Sequence, residues 1–521
     1  LLRIMKPFTR VKVIKGIEYL YEITPYYDPV EKKIRQKSKY LGKLVNDQPI
    51  KVRSQKKPLI SIPEKVLSYG EYLPLLKIIG ELKLDLLLSK SFSEKQAWSI
   101  LTLAMNHIIK PLAYDHIEEW YEGTVLSKDH PELPLSSQSI SNLLDSIGNS
   151  AVHIDFAKSL IKEVCTSNTL IYDITSISTY SQMISLLEYG YNRDNLDLPQ
   201  INFSMIVDKE KGIPVMYDLY PGSISDVTTL KNTIKKLQEE GVHDYTLIMD
   251  KGFISTANIE SLVSNDLSFI VPPSQTIKSV KEKTSEIHKT IYDPQNLNVY
   301  EGEPIFTMQV DINVGELNVK GYAYYDQKRE HQERNSFFKG LHATLEMLEK
   351  VDLRRWMDLK MVFISLAKRY ASYLTWKVKD NKFEIKVKKN AVSQRVNKMG
   401  KFILLYRGNL EWDECLSLYR SKDIVEKGFY FLKNYIEVPP ANVKKNSTLK
   451  GHLFICFVSL IIRMKLMKEM KEAKLNKKFS VESLIVQLEK NKILLLSEGE
   501  QIVMERTKKQ KEILDALGIC A

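Results

Sequence analysis

The sequence predicts an α/β protein built on a mixed sheet with helices on its faces. A β-rich insertion interrupts that core, and an N-terminal β-hairpin and a helical region precede it. Three observations carry the prediction. Residues 169–219 read as three successive short apolar strands, a meander. Residues 226–271 then alternate helix, strand, helix, strand. Between residues 275 and 400 the pattern turns to strands and lysine-dense stretches, before helical periodicity returns at Trp412.

The elements follow in order. Val11 and Val13 alternate with Arg10 and Lys12. Ile17 to Ile23 is β-branched and aromatic ahead of a Pro-Tyr-Tyr-Asp-Pro turn, so residues 1–50 form a β-hairpin module. The lysine- and proline-rich stretch from Asp47 to Pro58 reads as a linker. Residues 60–165 are helical by pattern. Leu75 to Leu88 is leucine-rich, and Glu94 to Ile109 has helical spacing behind Ser93 as N-cap. Serines precede Ile140, Leu143, Leu144 and Ile147 in a short helix that stops at Gly148. That helix fits a helix-turn-helix or a plain bundle.

The first core segment spans 166–274. Thr169 to Ile174 is an apolar run with Asp173 near its end. Ile201 to Val207 and Ile213 to Leu219 are strands joined by an Asp-Lys-Glu-Lys-Gly turn, and Pro221-Gly222 breaks the sheet. From Asp226 a helix sets Val227, Leu230, Ile234 and Leu237 on one face and ends at Gly241. Tyr245 to Met249 is a strand leading into Asp250. A helix from Ser255 to Val263 and a strand from Leu267 to Val271 complete the unit. The β-rich insertion occupies 275–405, the second core segment 406–470, and a helical region 471–521.

A chain of 521 residues suggests two to four domains. Its 44% hydrophobic and 27% charged residues fit a soluble globular protein. The formal charge of +12 favours a polyanion, nucleic acid before an anionic membrane, although a lysine-rich soluble protein has the same balance. Cys165, Cys415, Cys456 and Cys520 form no C-x-x-C pair and read as reduced, mostly buried thiols of a cytoplasmic protein. The basic start, Leu1 to Arg10, lacks the apolar stretch of a secretory signal. The longest apolar run, Leu453 to Ile462, is about half a membrane span and reads as a core helix.

Two acids occupy equivalent places: Asp173 in Leu-Ile-Tyr-Asp-Ile-Thr-Ser and Asp250 in Leu-Ile-Met-Asp-Lys-Gly-Phe. Carboxylates at one edge of a sheet repel each other, and a divalent cation removes that repulsion. Each Asp taken alone is better read as the cap of a following turn or helix. Trp412 to Ile436 reads as one amphipathic helix whose core face holds Leu418, Val425, Phe429, Leu432 and Ile436. Beside that face runs a stripe of Tyr419, Lys422, Glu426 and Lys433. Ordinary surface ion pairs account for the charges of such a stripe but not for Tyr419. Arg420 points elsewhere, and Asp226 is a rival to Asp250, better read as a helix cap.

The stripe resembles the Y-(2)-R-(3)-E-(6)-K signature of the IS4-type DDE transposases, especially the IS1634-like branch. Tyr419, Glu426 and Lys433 match in register, while Lys422 stands where the signature has arginine and lacks its bidentate fork. Asp173 and Asp250 resemble the first and second acids of the family. Pro221-Gly222-Ser223-Ile224-Ser225-Asp226 resembles its Pro-Gly-Asn-x-x-Asp turn, and Gly451-His452-Leu453 its downstream Gly-His segment.

The resemblance implies an RNase H-like core and a metal site of Asp173, Asp250 and Glu426 holding Mg²⁺, with Mn²⁺ as substitute. It implies DNA contacts by Tyr419, Lys422 and Lys433, and a DNA-binding role for the helical region. It implies cleavage and strand transfer of double-stranded DNA at an element's terminal inverted repeats, by a homodimer on paired ends. A catalytically inactive DNA-binding descendant and a metal-dependent nuclease without strand transfer stay open beside it.

Overall fold

The chain packs as two units in this computed structural model: Leu1–Lys65 with Leu495–Gln501, and the remainder. It describes residues 6–28, 31–45, 48–50, 63–165, 169–178, 184–190, 198–224, 226–239, 245–274, 277–356, 358–436, 445–496 and 500–519. The linker read into Asp47 to Pro58 therefore lies largely outside the described residues.

The smaller unit holds a four-stranded antiparallel sheet of Phe8–Ile14, Ile17–Asp28, Lys33–Val45 and Gln48–Ile50, in that order. Phe8–Ile14 and Ile17–Asp28 pair as a hairpin, and Lys33–Val45 pairs with Tyr19 to Asp28 on the other side.

The larger unit is organised on nine strands: β1 (Thr169–Ser178), β2 (Gln200–Asp208), β3 (Ile213–Pro221), β4 (Thr246–Ile248), β5 (Ser268–Val271), β6 (Leu297–Tyr300), β7 (Glu303–Val314), β8 (Leu317–Asp326) and β9 (Lys401–Arg407). Their order is β6-β7-β8-β9-β5-β4-β1-β2-β3. β4 is parallel to β1 and to β5, and the other pairings are antiparallel. Gly212, at φ +66°, makes the turn between β2 and β3 that the sequence marks.

One expectation is corrected. Residues 275–405 are not one β-rich insertion, because β6, β7, β8 and β9 continue the main sheet. Alternation reveals a strand and its two faces but not its partner. Gly321 helps β8 meet β9, since a Cβ there would lie 2.9 Å from the Leu404 carbonyl oxygen. What stands apart from the sheet is 327–400, and it is mainly helical. Its 24-residue helix and the hairpin Leu374–Lys379/Lys382–Val387 enclose a core of their own around Phe337, Leu341, Phe363, Tyr370 and Phe383.

Helices α1 (Glu94–Ile109), α2 (Ser137–Gly148) and α3 (Val152–Val164) gather around the long C-terminal helix, Asn446–Glu472. Ser93 caps α1 in a capping box with Gln96, as its sequence indicates. The run Leu453 to Ile462 is buried throughout within the long helix. No described helix is long and apolar enough to cross a membrane. Two glycines let α2 cross this helix. A Cβ on Gly148 would sit 1.8 Å from the Ser447 carbonyl oxygen, and one on Gly451 2.1 Å from that of Leu144. Cys415 and Cys456 are buried free thiols and Cys165 is half-buried. Cys520 lies outside the described residues.

The bundle also encloses polar side chains. Tyr114 Oη is 2.6 Å from His452 Nδ1, and Cys456 Sγ lies 3.5 Å from His452 Nε2 and 3.9 Å from His107 Nδ1. Burial drives the His107 imidazole down to about 3, with the neighbouring His452 adding to the shift, and drives His452 itself down to about 4. Both are neutral in the fold. Below pH ~6.5 the unfolded chain binds protons that the fold refuses, so stability falls as pH drops toward the folded values. Urea titrations between pH 7 and 5 should show this loss, up to about 1.4 kcal/mol per pH unit for each histidine. His452→Gln should flatten the dependence, and an unchanged slope in that variant would refute the assignment.

Candidate active site

Parallel pairing sets two acids together. Leu170 faces Leu247 and Ile171 faces Ile248 across β1 and β4. Asp173 and Asp250 each lie two residues further along, so strand alternation turns both carboxylates to the face of Ile171 and Ile248. Asp250 continues the extended backbone, at φ −89° and ψ 166°. Asp173 is at mid-strand, not near the strand's end as its sequence suggests, because β1 runs on to Ser178. β4 stops at Ile248, which opens the flank of β1 at the level of Asp173. Asp250 stands at the N-cap of a short 3₁₀ turn but makes no capping bond with its side chain. Asp173 Oδ1 accepts a hydrogen bond from the Ile174 amide at 2.9 Å.

The third acid arrives from the far end of the chain. Trp412 to Ile436 is not one helix but two, Trp412–Arg420 and Asp423–Ile436, with a turn at Ser421-Lys422. Numbered in chain order, these are α4 and α5. Leu418, Val425, Phe429 and Leu432 are buried as the periodicity requires, whereas the side chain of Ile436 lies outside the described residues. Gly428 seats α5 on the sheet: a Cβ there would be 3.1 Å from Met205 Cε and 3.1 Å from Met464 Sδ. Met205 is the cross-strand partner of Asp173 and shares its face. Glu426 lies on this helix half a turn before Gly428, turned away from the two methionines, and its charge reaches Tyr419 on the preceding helix. It is exposed and, among the described residues, forms no ion pair.

Tyr419 reports all three acids electrostatically. Its hydroxyl is pushed up to about 12, by burial first and then by the negative charge of Asp250, with smaller contributions from Glu426 and Asp173; the Arg329 cation opposes the shift. Arg329 is a residue that sequence reasoning missed. It opens the 24-residue helix Gln327–Lys350, about 90 positions from Tyr419, and its guanidinium lies over the Phe402 ring at 4.6 Å.

Lys422 departs from the expected grip on phosphate. It is 7% exposed at the corner between α4 and α5, with Nζ 3.4 Å from Asp250 Oδ1. Lys433 is half-buried on α5. Arg420 pairs with Asp326 at 2.8 Å and stacks over Tyr300, away from the acids. Asp226 begins its helix, but its side chain lies outside the described residues.

Oxygen-only donors of this kind suit a hard divalent cation. Among the described residues no three His, Cys, Asp or Glu side chains converge closely enough to surround one ion. The set fits ions held by fewer protein ligands at a time and completed by water and substrate oxygens.

The family model described as "Transposase DDE domain" matches residues 166–462. A search of curated proteins returns no match. Among solved structures, the chain is similar to a piggyBac transposase, seen by cryo-EM in a synaptic complex with hairpin DNA. Identity is 11%, coverage 82% of each chain and the TM-score 0.35.

The Gly428 contact is directly testable by thermal unfolding. Gly428→Ala should be close to neutral, since flexible methionine ends can yield and alanine favours a helix by about 1 kcal/mol. Gly428→Leu should cost about 1–3 kcal/mol by overpacking. A leucine variant as stable as the wild type would contradict the close seating of α5.

Proposed function

The chain belongs to the transposase DDE-domain family, and on that premise we propose that it is the DNA transposase of an insertion sequence, with Asp173, Asp250 and Glu426 as its catalytic carboxylates. It is a phosphoryl-transfer enzyme acting on DNA. The observation that carries the residue assignment is the shared register of Asp173 and Asp250 on the face where Gly428 seats the Glu426 helix. The core order β5-β4-β1-β2-β3, with β2 the antiparallel strand, supports an RNase H-like fold. The spacing of Tyr419, Glu426 and Lys433 supports an IS4-type protein of the IS1634-like branch.

The family implies dependence on a divalent metal. Bound ions, Mg²⁺ with Mn²⁺ as a substitute, would activate the attacking oxygen and stabilise the leaving one in an in-line displacement at phosphorus. The three carboxylates would hold them, with water and substrate oxygens completing the coordination. The attacking oxygen is that of water in the cleavage step and the freed 3′-OH in strand transfer. Tyr419 and Lys433 would hold phosphates beside the cut. Lys422 balances the charge of Asp250 and can turn toward a phosphate once that carboxylate is otherwise engaged. The substrates are the element's terminal repeats and a target duplex, with a homodimer pairing the two ends.

The test is cleavage of a duplex carrying the element's own end, with Mg²⁺ or Mn²⁺. Wild type should cut at the end and join the 3′-OH to target DNA. Asp173→Ala, Asp250→Ala and Glu426→Ala should each lose cutting by at least about a thousandfold, as expected when a catalytic unit is broken, and keep DNA binding. Cutting without joining would make the protein a nuclease. Binding without cutting in any form would make it an inactive descendant. An active Asp173→Ala would overturn the site.

A further inference from the structure

The N-terminal sheet segregates its charges. Between Lys6 and Val45 the chain has ten Lys and Arg against four Asp and Glu, half of the protein's net charge of +12 in less than a tenth of its length. Strand register sorts them by face. Arg10 pairs with Tyr21, which pairs with Tyr40; Lys12 pairs with Tyr19, which pairs with Lys43. Directly paired residues share a face, so Arg10, Lys12, Lys43 and three tyrosines stand together. Ring contacts bear this out. Tyr40 lies 5.5 Å from Tyr21 and 6.1 Å from Tyr19, and Lys12 Nζ sits 5.2 Å from the Tyr21 centroid.

Glu18, Glu22 and Asp28 occupy the alternate positions of the central strand, so the tyrosine face carries no strand carboxylate. The opposite face is close to balanced: Lys39 pairs with Glu22, and Arg35 meets Asp28 at 3.6 Å and Glu31 at 2.5 Å. Arg10, Lys12 and Tyr40 are exposed, Tyr19 and Tyr21 half-buried, and on the central strand of this face only Ile23 is buried.

We propose that this tyrosine-lysine-arginine face docks on duplex DNA, with its three strands across the major groove. The inference rests on the transposase reading for its partner class. Arg10, Lys12 and Lys43 present only hydrogen-bond donors, and phosphate offers only acceptors. Tyrosine hydroxyls add neutral donors to phosphate or base edges. The major groove, roughly 12 Å wide, admits a two-stranded ribbon or the face of a sheet, and the outer axes of three strands about 4.8 Å apart are roughly 10 Å apart, so the face meets the groove and the flanking phosphates together. The lack of carboxylates matters because one like-charged group against phosphate costs what a cation gains.

The test compares two full-length double variants by fluorescence anisotropy, Arg10→Ala/Lys12→Ala on the tyrosine face and Lys37→Ala/Lys39→Ala on the other. The probes are a duplex with the element's end, a duplex of unrelated sequence and a single strand of equal length, each at two salt concentrations. Circular dichroism confirms folding. The tyrosine-face variant should bind duplex about tenfold more weakly, with a salt slope smaller by about two. The other variant should change less than about threefold. Equal loss in both, no loss in the tyrosine-face variant, or tighter binding of single strand than of duplex overturns the surface. These outcomes leave the proposed transposase activity standing if the wild type still binds and cuts duplex. A wild type that binds no duplex overturns both.

Discussion

The pairing of Ile171 with Ile248 obliges Asp173 and Asp250 to stand on one face at one level of the sheet. Like charges so placed destabilise each other unless a cation intervenes. Among the described residues the ammonium of Lys422 supplies such a cation to Asp250, sequestered from water and placed by the turn between α4 and α5. An ammonium so little exposed would itself be costly without a carboxylate partner. Each charge thus supplies the reason the other is tolerated, and the surrounding architecture keeps them in reach.

The turn at Ser421-Lys422 is what makes the site three-sided. An uninterrupted helix would carry Tyr419, Lys422 and Glu426 along one stripe. The interruption instead gives Tyr419 to one helix, Glu426 to the next, and Lys422 to the corner. Gly428 then sets the depth at which the second helix rests, through Met205 beneath it and Met464 beside it. Met464 belongs to the long helix that also meets α2 through Gly148 and Gly451, so the helical bundle and the acidic face share one strut.

Much of this was legible in the sequence. Apolar runs of four to eight residues bounded by turn formers located β1 to β5, and the spacing of Tyr419, Glu426 and Lys433 drew attention to the third acid. Other features left no local trace. Alternation in Glu303–Val314 and Leu317–Asp326 marks strands but does not say that they join the main sheet, since pairing is decided by contacts far apart in the chain. The two-residue interruption at Ser421 falls within a pattern that 3.6-residue periodicity tolerates. The burial of Lys422 and the electrostatic influence of Arg329 on Tyr419 arise from tertiary structure, and neither residue's neighbours in sequence differ from those of a solvated charge.

The stretch 327–400 leaves the sheet at Asp326 and returns at Lys401, and these two ends touch. Tyr325 pairs with Lys401, and the Asp326 amide donates to the Gly400 carbonyl at 2.9 Å. A closed base of this kind makes the excursion a cassette. Closing entropy grows only slowly with the length of what is enclosed, and the enclosed piece has a hydrophobic core of its own. Its size and surface are thereby free to drift, or to be exchanged for other content, while the strands that carry the acids keep their alignment. The exception is its first turn, where the charge of Arg329 is felt at the Tyr419 hydroxyl.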